Sequence, residues 1–194
     1  MKEPWFYRFI ARPVLKVFVK LVYRPTIVGK EYIPGTGGVV LAGNHTNYFD
    51  SILLISCTKR TIHFLGKKEL FEGKFKWIFK NMGIIPVNRK QKDPNALNSA
   101  IEVLKDDKVI GIFPEGTINR TEDVTMPFKF GAVKMCIETK STMVPFVITG
   151  KYRPFRRGLR IEFFKPYKLK DDIEKENEKL RHTVEQGIIK QEEK

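Results

Sequence analysis

The chain has 194 residues, 42% of them apolar, and 36 Lys and Arg stand against 22 Asp and Glu for a formal charge of +14. This is the size and composition of one domain with a substantial core, and it excludes collagen-like, disordered and repeat architectures. The positive excess favours polyanionic partners, either nucleic acid or an anionic membrane surface, while two widely separated cysteines, Cys57 and Cys136, exclude a disulfide framework or thiolate zinc site and point to a reducing cytosol.

The first segment, EPWFYRFIARPVLKVFVKLVYRP, carries a base every fourth residue: Arg8, Arg12, Lys16, Lys20 and Arg24. In a helix each step of four drifts by only about 40°, so the five bases share one broad face, and Val14, Leu15, Val17, Phe18, Leu21 and Val22 fall on the opposite one. The pattern predicts a basic amphipathic helical segment over residues 1–25, with Pro13 dividing off an aromatic-rich piece (Trp5, Phe6, Phe9, Ile10). Bases combined with Trp and Phe suit the headgroup layer of a membrane. The bases interrupt the apolar residues too often for a secretory signal, and no run of 18 apolar residues exists to span a bilayer.

Residues 26–194 alternate apolar runs with helical patterns. Strands are expected at Val39–Ala42, Thr61–Leu65, Ile84–Val87, Val109–Phe113, Val144–Ile148 and Leu159–Phe164. Helices are expected at Asp50–Ser56 with Asp50 as N-cap, at Glu69–Met82 with Phe71, Phe75 and Phe79 as core, and at Pro94–Asp107, Phe130–Thr139 and Asp171–Lys190. The rhythm predicts an α/β domain, a mixed, largely parallel sheet flanked by helices and preceded by the amphipathic segment.

In such sheets, sites collect at the carboxyl ends of the strands. His45 follows one apolar run, Arg89 another and Glu115 a third, so the topology draws these three polar residues to one edge. Asp50 lies five residues beyond His45. A carboxylate there can accept the proton of one imidazole nitrogen, fix the tautomer and stabilise the imidazolium. A His and an Asp five apart are also a common coincidence, and by themselves identify nothing. Ser51 adjoins the pair without a GxSxG elbow, which argues against an acyl-serine hydrolase. KYRPFRRGLR (Lys151–Arg160) mixes bases with aromatics, as a nucleic-acid groove or a phospholipid surface would, but the usual nucleic-acid motifs are missing. No His, Cys and Asp cluster has metal-ligand spacing.

Several stretches become specific when taken in order. NHTNYFD (Asn44–Asp50) resembles the NHxSxxD box of the glycerolipid acyltransferases, and GKKELF followed by GIIPVNR resembles their second box. FPEGTINR is similar to the FPEGTR box and VPFVITG to the fourth, and PFKFGA (Pro127–Ala132) matches the stretch after the third. On these motifs, from Val39 to Gly150, the chain resembles the PlsC-type 1-acylglycerol-3-phosphate O-acyltransferases.

The resemblance implies transfer of an acyl group from acyl carrier protein or coenzyme A thioester to the sn-2 hydroxyl of lysophosphatidic acid. It implies phosphatidic acid as product, no acyl-enzyme, no cofactor beyond the thioester co-substrate, and no nucleic acid. It also implies work at the cytoplasmic face of the cell membrane. His45 is then the general base and Asp50 its orienting partner, with Lys67, Arg89, Glu115, Gly116, Thr117 and Arg120 as substrate-binding positions. Two departures stand out: Asn47 where the first box has Ser, and Ile118 where the third has Arg. The second leaves Arg120, Arg89 and Lys67 to meet the acceptor phosphate. Acceptors other than lysophosphatidic acid, such as glycerol 3-phosphate or another lysolipid, keep the same chemistry; a non-catalytic basic lipid- or nucleic-acid-binding module is the contrasting class.

Overall fold

The middle of the molecule is built from its most continuous apolar runs. The computed structural model describes residues 5–74, 76–88 and 93–193. Seven strands form one sheet: β1 (Thr26–Val28), β2 (Val39–Gly43), β3 (Ile62–Lys67), β4 (Ile85–Val87), β5 (Val109–Ile112), β6 (Thr142–Thr149) and β7 (Arg160–Phe163). Their spatial order is β1-β7-β6-β2-β5-β3-β4, with only the β6–β7 pair antiparallel. Every residue of β2 is buried, as a parallel strand covered on both faces requires.

Alternation along β2 divides the core into two layers. Val40 and Ala42 face α4 (Pro94–Lys105), α5 (Gly131–Glu138) and α6 (Ile173–Glu192). Val39 and Leu41 face the other side, with Leu53 and Leu54 of α2 (Asp50–Cys57) and Val19 of α1 (Arg12–Val22). The mixed, largely parallel sheet flanked by helices is the architecture expected from the sequence.

Three local expectations need correction. β1 escapes notice because three residues carry no readable period, and its partner β7 lies more than 130 residues away. The single helix expected over Glu69–Met82 is instead a 3-10 turn (Lys68–Phe71) and a short α3 (Lys76–Asn81), with Gly73 between them. Its aromatics are not core: Phe71 and Phe79 are half-buried and touch at 6.3 Å, and Phe75 lies outside the described residues. Pro13 does not break the first helix. A π-helical turn (Tyr7–Ala11) runs straight into α1, and Pro13 follows directly on that wider turn.

The first helical segment carries three stripes rather than two. Tyr7, Ala11, Leu15, Val19 and Tyr23 dock on the domain, and the Ile62 N–H donates to the Tyr7 hydroxyl. Arg12, Lys16 and Lys20 form the basic stripe, although the Arg12 guanidinium donates to the Lys59 carbonyl. Val14, Val17 and Leu21 form an apolar stripe left uncovered by the described residues, each 55–60% exposed.

Gly43 closes β2 where a side chain has no room: a Cβ would stand 2.2 Å from the Phe146 carbonyl oxygen and 2.6 Å from its ring. Gly43→Ala is expected to force β2 and β6 apart and lower stability by about 1–3 kcal/mol, read as a lower urea midpoint at unchanged m. A wild-type midpoint would show that the strands yield without cost.

Candidate active site

β2 and β5 run side by side in parallel, Ala42 against Ile112, so the loops that leave them emerge together. The first carries His45 and the second Glu115. The His45 N–H donates to Glu115 Oε1 (2.9 Å), the Met126 N–H to Glu115 Oε2 (2.9 Å), and the Asn119 N–H to the His45 carbonyl (2.9 Å). Glu115 therefore staples two loops, with a backbone N–H on each oxygen. Burial pushes its carboxyl above the usual range, and those N–H donors oppose the push. Asn44, just before His45, pins the end of β2 to β6: its amide donates to the Ile148 carbonyl and accepts from the Ile148 N–H, both at 2.8 Å.

His45 Nδ1 lies 2.8 Å from Asp50 Oδ2. Asp50 is fully buried and is the first residue of α2, where Phe49 takes the N-cap position. The expected cap does not form, because the carboxylate turns back over its own loop. Oδ2 also accepts from the N–H groups of Thr46 (2.6 Å) and Asn47 (2.8 Å), and Oδ1 from the hydroxyls of Tyr152 (2.6 Å) and Thr46 (3.2 Å). Five donors thus satisfy a buried carboxylate that has no Lys or Arg partner among the described residues. With Nδ1–H given to the carboxylate, Nε2 is the imidazole nitrogen left to take a proton. Phe113 stacks on the imidazole at 4.1 Å and 12°, holding its plane. Asn47 turns the loop: its side-chain oxygen accepts from the Phe49 N–H (3.1 Å).

Two cavities meet at His45. The larger, about 1040 Å³, has apolar walls from α1, α2 and α3 (Val14, Ile52, Ile55, Ile78) and from Phe79 and Met82. Lys67, Thr117, Ile118 and Arg120 share that cavity with His45. The smaller, about 240 Å³, joins His45 to Phe113, Gly116 and Lys129. Gly116 has φ +76°, and a Cβ there would stand 2.6 Å from Lys129 Nζ, so the glycine leaves the ammonium its place in the smaller cavity.

Of the sequence-predicted positions, His45, Asp50, Glu115, Gly116, Lys67, Thr117 and Arg120 gather around these cavities. Arg89 lies outside the described residues. Tyr152, Phe113, Lys129 and the cavity-lining Phe79 are not among the positions the sequence predicts for the site. For Lys129 the usable signal is its place in PFKFGA. Ser51 lines both cavities without a hydrogen bond to His45. Among the described residues no group of three or more His, Cys, Asp or Glu is placed to hold a metal ion.

Residues 24–149 match the family model described as Acyltransferase. A 1-acyl-sn-glycerol-3-phosphate acyltransferase of Bacillus subtilis is 36% identical over 148 residues, 74% of this chain and 71% of that protein. One from Borreliella burgdorferi is 31% identical over 176 residues, 84% of this chain and 70% of that protein. The crystal structure of the 1-acyl-sn-glycerophosphate acyltransferase PlsC from Thermotoga maritima shares the fold, with TM-score 0.75 and 22% identity over 96% of this chain and 82% of that one.

Burial pushes the thiols of Cys57 and Cys136 up to about 12, so neither is a nucleophile at neutral pH. At pH 8 the thiolate fraction is about 10⁻⁴, and the folded protein is expected to label with a disulfide reagent about a thousandfold more slowly than a free thiol, its rate rising about tenfold per pH unit. Fast labelling without denaturant would contradict this.

Proposed function

The chain belongs to the acyltransferase family, and on that premise we propose that it transfers a fatty acyl group from an acyl carrier protein or coenzyme A thioester to the sn-2 hydroxyl of lysophosphatidic acid, forming phosphatidic acid. The observation that carries this reading is the 2.8 Å contact between His45 Nδ1 and Asp50 Oδ2 where the apolar and cationic cavities meet.

An alcohol is a poor nucleophile at neutral pH, and His45 Nε2 removes its proton as the oxygen attacks the thioester carbonyl. Asp50 keeps the ring aligned and stabilises the imidazolium. The C–O bond forms, the tetrahedral intermediate collapses with loss of the C–S bond, and the thiolate takes up the proton that the imidazolium releases. The developing oxyanion needs donors, and the backbone N–H groups at the start of α2, where Ser51 lines both cavities, are assigned that role. No acyl-enzyme is needed, in keeping with two thiols that stay protonated.

The walls sort the substrates. The apolar length of the large cavity, at the upper end of the size range for small-molecule sites, takes the acyl chain. Lys67 and Arg120 on its wall, together with Arg89 by its place in the second motif, meet the acceptor phosphate in place of the arginine that Ile118 replaces.

The protein works from an anionic membrane surface at the cytoplasmic face. No helix among the described residues is long and apolar enough to cross a membrane, and the uncovered stripe of α1 gives a peripheral means of attachment. Val14 belongs both to that stripe and to the cavity wall, so a lipid acceptor reaches the cavity without crossing water. Exposed Val and Leu beside the bases favour a bilayer over nucleic acid, whose binding rests mainly on cations at phosphates and on aromatic stacking.

His45→Ala is expected to abolish lysophosphatidic-acid-dependent thiol release while leaving vesicle binding intact, and Asp50→Asn to lower kcat by about 10³–10⁴-fold. Near-normal turnover in His45→Ala removes the base assignment, and release that ignores the acceptor identifies a thioesterase instead. Flotation with anionic vesicles tests the surface: Val17→Glu with Leu21→Glu is expected to weaken binding at least tenfold at unchanged helicity. Undiminished flotation would place the contact elsewhere.

A further inference from the structure

We propose that Tyr152 is a positioning residue of the acyl transfer, holding the Asp50 carboxylate in register with His45 and seating that hold on α1. The inference rests on the reading of His45 as the base, and adds a residue that lies beyond the acyltransferase-like motifs, which end at Gly150.

Asp50 Oδ2 is shared among the imidazole and two backbone N–H groups, whereas Oδ1 has only side-chain hydroxyls, Tyr152 at 2.6 Å and Thr46 at 3.2 Å. The shorter of these bonds fixes the rotation of the carboxylate about its Cβ–Cγ bond, and with it the direction in which Oδ2 meets Nδ1. Tyr152 itself is clamped. Its ring meets Tyr23 edge-on at 5.3 Å and lies 6.0 Å from Phe49, while Tyr23 touches Phe49 at 5.6 Å and Phe18 at 5.8 Å.

The backbone around it is tied to the last residue of α1 and to the start of β1 just beyond it. The Phe155 N–H donates to the Val22 carbonyl (2.6 Å), and the Thr26 N–H to the Leu159 carbonyl (2.9 Å). Gly150, at φ +80°, lets the loop fold so tightly that a Cβ would stand 1.8 Å from the Gly158 carbonyl oxygen. The fifth donor to Asp50 is therefore carried by a loop whose bearing is α1, the helix with the uncovered apolar stripe.

Burial, and then the charge of Asp50, push the Tyr152 phenol far above its ordinary range, so the hydroxyl remains a donor at every working pH. The other ionisable groups around the dyad are Glu115 on the β5 loop, Tyr23 on α1 and Cys57 on α2. The cavities add Lys67, Lys129 and Arg120.

Tyr152→Phe removes one oxygen and keeps the ring. It is expected to lower kcat about tenfold with KM for both substrates within about twofold. The acidic limb of the pH–rate profile is expected to move to higher pH, because a carboxylate short of one donor pulls harder on the imidazole proton. Replacing Tyr152 with 3-fluorotyrosine, a stronger donor of nearly the same shape, is expected to move the limb the other way, and Tyr23→Leu to reproduce the Phe variant's shift in smaller measure.

Unfolding temperatures are measured alongside. A purely structural role lowers stability and leaves the limb in place for all three variants, and that result overturns the proposal. If His45→Ala stays active, the base assignment itself is wrong; if it is dead while Tyr152→Phe keeps wild-type kcat and limb, the dyad stands and only the role of Tyr152 falls.

Discussion

A carboxylate sealed from water is the constraint around which the site is arranged. An unpaired buried charge costs several kcal/mol or more, and Asp50, fully buried, meets that cost with five donors: two backbone N–H groups, two hydroxyls and the His45 ring. Each donor comes from a segment that must be correctly placed for the charge to be tolerated. The loop after β2 has to curl so that Thr46 and Asn47 point inward, α2 has to begin at Asp50, and the loop after β6 has to return Tyr152 across the sheet. The dyad is thus not two side chains that happen to touch. It is what remains when every other way of satisfying that carboxylate has been closed.

The sheet order explains why these segments meet. β2 lies between β5 and β6, all three parallel, so their carboxyl ends face the same way and the loops after them crowd one edge. Glu115 locks the β5 loop to the β2 loop, and Asn44 locks the β2 loop to β6. Phe113, the residue after β5, supplies the flat surface against which the imidazole rests. Two buried polar residues with complete hydrogen bonding fix a geometry that apolar packing would leave loose.

Much of this is legible in the sequence for physical reasons. Parallel strands buried on both faces read as plain apolar runs, which is why β2, β3, β5 and β6 stand out; helices with one apolar face read by their period, as α4 does through Leu97, Ile101 and Leu104. His45 and Asp50 belong to one local motif and can be seen together. Asp50 was misjudged as a cap because an acidic residue at a helix start has that role by default, and only the folded loop offers it better donors. Tyr152 is invisible for another reason: its partner is 102 residues away, and its surroundings advertise charge rather than a hydroxyl. Glu115 was seen, but as a group turned toward substrate; nothing local reveals that both of its oxygens are taken by backbone.

The first helix shows how one short segment answers three demands at once. A helix that only packed on the domain would need a single apolar face, yet α1 has a buried stripe through Leu15 and Val19 and a second, uncovered one through Val14, Val17 and Leu21. Water penalises the second stripe, so folding of the isolated chain gives no reason for it. On the proposed function the reason is the substrate: an acceptor held in a bilayer must enter a cavity whose wall includes Ile10 and Val14, and the helix that meets the lipid is the one that frames the entrance. The docked stripe then determines how deep that entrance sits. Tyr23, the C-cap of the same helix, packs against Tyr152, so on the proposed function the element that frames the entrance also bears on the alignment of Asp50.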